Sequence, residues 1–312
     1  MSHVTYLTAG NGGARLLPGL VEVRPEEDIH VLVNVGADFE AWGLYCCPDI
    51  DLVLYTLAGE LDPYRTSADP VETYGCFEAI RKLGLPASVP ISDRELATHL
   101  MRTEILGGGA SLEAATEQLA ERFGIGPVLM PVSNDPIRTM VDTPASGSLK
   151  VAEYLARARE PGDTMEVHHE GANEARPLDR AIRSILEADR VILAPADPRY
   201  GLGALLSMSE IRGALTRTPA SVVAISPIIG SQPARGSGER SAEPDSLIRF
   251  ARELRGIVDS LVIHTTDLPY VEQVRESGTD AWVDNILINS RDDAIRLAGR
   301  IVFPDRLVAR KR

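Results

Sequence analysis

VTYLTAGNGGARLLPGL, residues 4–20, is the stretch on which the fold turns. It begins with β-branched and aromatic residues, the mark of a strand. Gly10, Gly12 and Gly13 follow, and ARLLPGLVEV then spaces its apolar residues at helical intervals. Strand, glycine loop and helix in this order make a βα unit. Glycines in such a loop let the backbone approach an anion while the helix N-terminus points N–H groups at it. The spacing is not the dinucleotide fingerprint, and no lysine and hydroxyl follow the last glycine as in a P-loop. Two readings stay open: a phosphate cradle, or a tight turn whose glycines serve backbone geometry alone.

The alternation continues along the chain. HVLVNVG is a second strand; VILAPA precedes SMSEIRGALTRT, SVVAISPII precedes SLIRFARELRGIV, SLVIHTTD precedes PYVEQVRESG, and WVDNILI precedes DDAIRLAGRIV. Short, continuously apolar strands separated by helices predict an α/β fold, a Rossmann-like, mostly parallel sheet with helices on both faces. Residues 1–312 are expected to form a single domain. From about residue 51 to 124 the pattern changes to helices in succession, expected as a helical insertion beside the sheet. A less regular, antiparallel stretch is expected from VLMPVSND through RTMVDT to MEVHHEG. QPARGSGERSAEPDS is the most loop-like segment. In an open parallel sheet, ligands bind at the carboxyl edge. AGNGGAR, NVGADFEAWG, APADPRYGLG and SPIIGSQPARG all fall there, which predicts that they share one site.

The formal net charge is −13, the opposite of what a bulk nucleic-acid binder carries, so no nucleic-acid partner is expected. An anionic ligand would need arginines, backbone N–H groups or a metal ion to reverse the local field. The longest apolar runs are strand-length and fall short of the roughly 20 residues of a membrane span. MSHVTYL shows no basic segment followed by an apolar core, and three cysteines do not make a disulfide framework. The expected location is cytoplasmic, with no membrane partner.

Asp38 in VGADF and Asp49 and Asp51 in CCPDID are the first chemical candidates. Carboxylates converging from separate loops beside a phosphate cradle are the usual oxygen ligands of Mg²⁺; for Asp49 the alternative is a plain helix cap. SDRELATHLMR places Arg94, His99 and Arg102 on one helix, either as site residues or as a solvated face. SNDPIRT offers Ser133 and Asp135, which turn chemistry alone would also explain. Cys46 and Cys47 are adjacent, with no metal-ligand spacing, and read as small buried residues. His168 and His169 alternate faces if they lie on a strand, so they are not expected to share a metal. No G-x-S-x-G, H-E-x-x-H or C-x-x-C occurs, which argues against the common hydrolase, metalloprotease and redox classes.

Taken together, AGNGGARLLPGL, NVGADFEAWGLYCCPDIDLVLYTLAGELDP, SDRELATHLMRTEILGGGASLEAAT, LMPVSNDPIRTMVDT, VILAPADPRYGLGALLSMSEIRGAL and VVAISPIIGSQPARG resemble, in order, the 2-phospho-L-lactate transferase (CofD) family of coenzyme F-420 biosynthesis. The resemblance implies transfer of a phosphoacyl group from a guanosine-diphospho donor to the ribityl hydroxyl of the deazaflavin Fo, with GMP leaving. It implies Mg²⁺ held by Asp38 and Asp51, with Asp49 nearby, and Asp51 or Asp49 as acceptor of the hydroxyl proton. Gly10, Gly12, Gly13 and Arg15 would hold donor phosphate. Arg94, His99, Ser133 and Asp135 would line the pocket, Asn34 would join the substrate-binding set, and Ser226 to Gly230 would take the nucleotide side. A homodimer is implied as well.

The chain departs from the family pattern on ligand-facing loops. Ala37 stands where an acidic residue is usual and Glu40 where a tryptophan is. Asp197 replaces an asparagine in APADP, and the aromatic wall is reduced to VAEYL around Tyr154. The loop after SPIIG lacks the family's continuation. These changes leave two alternatives: a paralogous transferase with another donor or acceptor, or a nucleotide-binding regulator without turnover.

Overall fold

The computed structural model describes residues 3–65, 72–144, 146–157, 166–230, 232–233 and 246–303. Seven strands form the main sheet: β1 Val4–Thr8, β2 Ile29–Val33, β3 Val128–Pro131, β4 Arg190–Leu193, β5 Ser221–Ile225, β6 Ser260–His264 and β7 Asp280–Asp284. They lie in the order β3-β2-β1-β4-β5-β6-β7, and every pairing is parallel. This is the doubly wound Rossmann order with a seventh strand added, and its direction reverses between β1 and β4. All five residues of β1 are buried, as a strand covered on both faces requires.

Helix α1 (Gly10–Val23) follows β1 and packs against the last helix, Arg291–Val302. The buried Tyr6 hydroxyl donates to the Gly13 carbonyl at 2.8 Å, so strand and helix are tied across their turn. Between β2 and β3 come four helices: α2 (Pro48–Leu57), α3 (Gly75–Lys82), α4 (Asp93–Gly107) and α5 (Leu112–Phe123). SDRE starts α4 as a capping box, in which Ser92 accepts from the Glu95 N–H and the Glu95 carboxylate accepts from the Ser92 N–H. Gly124, left-handed at φ 68°, stops α5.

One feature differs from the loops expected at the carboxyl edge. Residues 39–46 contain a hairpin, Phe39–Ala41 paired with Leu44–Cys46. Trp42 and Gly43 form its two-residue turn with φ of 53° and 79°, the primed geometry that matches strand twist. The Trp42 ring is held by its Nε1–H, which donates to the Pro86 carbonyl at 2.8 Å. The stretch after β3 is a three-stranded antiparallel sheet, with Arg138–Thr143 between Gly147–Lys150 and Glu166–Glu170. There His168 meets Asp142 and Glu170, while His169 meets Thr139. Of the loop-like segment at 232–246, residues 234–245 lie outside the described residues. Among the described residues, no helix is long and apolar enough to cross a membrane.

Candidate functional site

A cavity of about 620 Å³ opens at the carboxyl ends of β1 and β4, the point where the strand order reverses. One side is backbone: Gly10, Asn11 and Gly12 in the first turn of α1. An α-helix leaves its first amides without intrahelical acceptors, so this turn presents N–H groups and the positive end of the helix dipole. Gly12 is there because of space. A Cβ at that position would lie 2.0 Å from the Pro195 carbonyl oxygen, so only glycine lets α1 begin against the loop after β4.

Asp49 and Asp51, both in the first turn of α2, form the facing side of the cavity. Asp49 does not cap its own helix. Its Oδ1 accepts from the Gly10 N–H at 2.9 Å and its Oδ2 from Asn34 Nδ2 at 2.8 Å. Burial pushes the Asp49 carboxyl above the ordinary range, against the pull of these two donors. Asp51 is gripped by Arg102 through both guanidinium nitrogens and by His99 Nε2 at 3.0 Å. Burial works against its charge, but Arg102 and His99 outweigh it and hold the carboxyl below the ordinary range.

Asp38 is 1% exposed. The Cys47 thiol donates to its Oδ2 at 3.3 Å, and its Oδ1 has no hydrogen-bond partner. Burial raises its carboxyl well above the usual range. Cys46 and Cys47 are buried as expected, the first against His99 Nδ1 at 3.3 Å. Among the described residues, no group of three or more His, Cys, Asp and Glu side chains is placed to hold a metal ion.

Asp197 closes the cavity below β4. Its Oδ1 accepts from the N–H groups of Arg199 and Tyr200, both at 2.8 Å, a turn that an asparagine oxygen would close equally well. The change from asparagine therefore keeps the loop's geometry. Beyond it an apolar wall runs through Tyr200, Val151, Ala152 and Leu155. Tyr154 packs behind it, its ring tilted 48° to that of Tyr200 with the centroids 5.9 Å apart. The VAEYL segment thus stands at the cavity.

Of the other expected residues, Arg94 lines the cavity and donates to the Glu60 carbonyl at 2.7 Å. His99 sits behind Asp51, one layer from the cavity. Arg15 turns away and donates to the Ile288 carbonyl at 3.2 Å. Ser133 and Asp135 are engaged with the Arg176 backbone, as a local turn. Ser226 closes on the Ile228 backbone, and the Gly230 N–H donates to Asp267. None of these five lines the cavity. Arg102, one of the three SDRELATHLMR candidates, is buried against Asp51 and is no part of a solvated face, while Tyr200 was not among the expected site residues. The i,i+3 spacing of His99 and Arg102 in THLMR was the available signal for Arg102, since it puts both on one face of α4.

The fold and this cavity define a doubly wound α/β protein with a cavity at the β1/β4 switch, amides on one side and carboxylates on the other. The chain belongs to the CofD family: the family profile "2-phospho-L-lactate transferase CofD" matches residues 4–296. It is a transferase. A phosphoenolpyruvate transferase of Nocardia farcinica is 37% identical over 288 residues, covering 87% of each chain. One from Streptomyces griseus is 32% identical, covering 88% of this chain and 90% of its own. A 2-phospho-L-lactate transferase of Methanosarcina acetivorans is 33% identical over 74% of each. A UPF0052-family protein of Bacillus halodurans superposes with a TM-score of 0.65 over 96% of this chain and all of its own, at 16% identity, and shares the fold.

Proposed function

We propose that this transferase moves a three-carbon phosphoacid group from a guanosine-diphospho donor to the ribityl hydroxyl of the deazaflavin Fo, releasing GMP, in coenzyme F-420 biosynthesis. One observation carries the reading: helix-terminal amides, three aspartates and an apolar wall border a single cavity in a CofD-family chain. The amides at Asn11 and Gly12 suit the donor's phosphates, and the wall at Tyr200 and Leu155 suits a flat aromatic acceptor. The enolpyruvyl form is the expected donor, supported by the names and the broad coverage of the Nocardia and Streptomyces relatives.

Mg²⁺ fits the donor set. Asp38 keeps a buried carboxylate oxygen with no hydrogen-bond partner, and Arg102 keeps Asp51 ionised at the cavity wall. Mg²⁺ commonly takes one or two carboxylates and completes its shell with substrate phosphates and water, so Asp51 in the cavity wall would hold it together with Asp38, which is buried outside the lining. When bound, it would neutralise charge on the transferring phosphate. Asp51, with both oxygens engaged and a low pKa, is a weak base; its role here is fixed negative charge. Phosphoryl transfer through a loose transition state asks the protein chiefly for alignment and electrostatics. A homodimer belongs to the same proposal.

The test mixes pure protein and Mg²⁺ with Fo and with enolpyruvyl, lactyl or phosphoglyceryl guanosine-diphospho donors in turn. GMP release and an Fo phosphodiester by mass spectrometry are expected, fastest with the enolpyruvyl donor. No product from any donor, with an active family member alongside, rejects the reaction. A faster lactyl donor rejects only the choice of acid.

A further inference from the structure

Asp49 stands among the groups expected to act on protons, yet its surroundings assign it other work. Gly10 adopts φ 58°, a left-handed conformation open to glycine, and in it the Gly10 N–H donates to Asp49 Oδ1 at 2.9 Å. The second oxygen accepts from Asn34 Nδ2 at 2.8 Å, and Asn34 Oδ1 in turn accepts from the Gly36 N–H at 3.0 Å. Asp49 and Asn34 are 7% and 1% exposed. Each carboxylate oxygen has a donor, and each Asn34 amide atom has a partner. The chain of bonds joins three separate pieces: the turn after β1, the end of β2, and the start of α2. The backbone already ties the first two, through the Asn34 N–H and the Thr8 carbonyl at 3.0 Å. The Asp49 carboxylate brings in the third.

We propose that Asp49 is a positioning residue, a latch that fixes the glycine turn of α1 against β2 and α2 so that the Asn11 and Gly12 amides stand ready for the donor's diphosphate. The inference rests on the reading of this cavity as the donor site. Asp49 also occupies one of the amides that a diphosphate would otherwise use. Its carboxylate is a resident anion at the N-terminus of α1, where the helix dipole favours it. Charge-assisted bonds of this kind are about twice as strong as neutral ones, enough to hold a left-handed glycine in one conformation. The incoming diphosphate is left with the next amides along, which sets its register in the cavity.

The pattern of donors makes a reciprocal test available. In Asp49→Asn the new NH₂ must face either Asn34 Nδ2 or the Gly10 N–H, both donors, and in Asn34→Asp two carboxylates face each other; either variant breaks the chain. The double variant N34D/D49N restores it. The asparagine introduced at position 49 would accept from Gly10 through its Oδ1 and donate to residue 34 through its NH₂, and residue 34 would still accept from Gly36. The charge moves from position 49 to 34 while the bonds remain. Melting temperature, calorimetric binding of inorganic pyrophosphate and of GDP with Mg²⁺, and steady-state kinetics are measured on all four proteins. Each single variant is expected to melt lower, to bind GDP about tenfold more weakly and to show a raised donor KM. The double variant is expected to return to within about threefold of the parent in binding and in KM. A double variant that melts like the parent but stays as impaired as Asp49→Asn shows that the charge at position 49 acts directly, and overturns the latch. Single variants that bind and melt like the parent overturn it too. Melting and binding do not depend on turnover, so a parent protein inactive with every donor would sink the proposed reaction and leave the latch to be decided by these two measurements.

Discussion

Arg102 and Asp51 form an ion pair in the interior, with Arg102 0% exposed and Asp51 3% exposed; Asp51 lies in the cavity wall and Arg102 behind it. The guanidinium also reaches the Tyr45 carbonyl at 3.5 Å, joining α4 to α2 and to the hairpin. Removing one partner of a buried pair leaves an uncompensated charge, which costs about 3–5 kcal/mol. Arg102→Met is therefore expected to lower the melting temperature by roughly 5–8 °C. Arg102→Lys keeps the charge without the fork and should fall between. Thermal denaturation followed by circular dichroism checks this. A methionine variant melting with the parent would mean that Asp51 is neutralised some other way.

Two histidines make stability depend on pH. His30 stacks on His3 with ring centroids 4.0 Å apart and shares a hydrogen bond with Ser184 Oγ at 3.0 Å. Burial first, and then the neighbouring His3 and Arg180, push it down to about 4, with Asp28 opposing. His169, beside Thr139, is pushed down to about 4 by burial and then by His168. Both are neutral in the fold, whereas in the unfolded chain they bind a proton near the ordinary value of 6.5. The unfolded state thus takes up more protons between these values. Stability is full above about pH 6.5 and is lost as pH falls towards 4. Melting temperatures from about pH 7.5 to about pH 4.5 should fall, and His30→Gln and His169→Gln should each flatten that fall. An unchanged slope in both variants would place the acid sensitivity elsewhere.

The sheet was legible because a parallel sheet buried on both faces demands continuous apolar strands, and VTYL, VILA and SVVAI are such runs. The start of α4 was legible from SDRE, because a capping box is a local event. The hairpin at residues 39–46 was hidden, since its strands are three residues long and its turn places a tryptophan at positive φ. The partners of Asp49 were hidden for another reason: Gly10 lies 39 residues away and Asn34 lies 15 away, and no local rule couples them. Ser133 and Asp135 show the converse. Asn-Asp-Pro has the same spelling whether it binds a ligand or closes a turn, and here both side chains close on the Arg176 backbone.

The glycines of the first turn serve different ends and should fail differently. Gly10 has open space where a Cβ would go and a φ of 58°. Gly10→Ala should fold, with a strain of about 1–2 kcal/mol. Gly12→Ala would put a methyl group 2.0 Å from the Pro195 carbonyl oxygen, which is backbone and cannot swing aside. It should reduce soluble yield or melt well below Gly10→Ala. Melting curves of the two variants side by side decide the matter, and equal losses would mean that the turn relaxes more freely than its packing allows.

Leu155 lies on the helix Val151–Arg157, lines the cavity and is 41% exposed. A leucine held that far out of the core adds little to folding, so Leu155→Ser should change stability by no more than about 0.5 kcal/mol. Its exposed face is apolar surface that a planar aromatic acceptor would cover. Losing that contact removes about 0.7–1.4 kcal/mol of binding, a threefold to tenfold rise in KM for Fo. The donor KM should stay within twofold, because Leu155 stands on the apolar wall and away from the first turn of α1. Initial rates with each substrate varied in turn separate the two constants. If the donor KM rises and that for Fo does not, the apolar wall belongs to the guanosine, and the acceptor must enter from the side of Arg94 and Glu72.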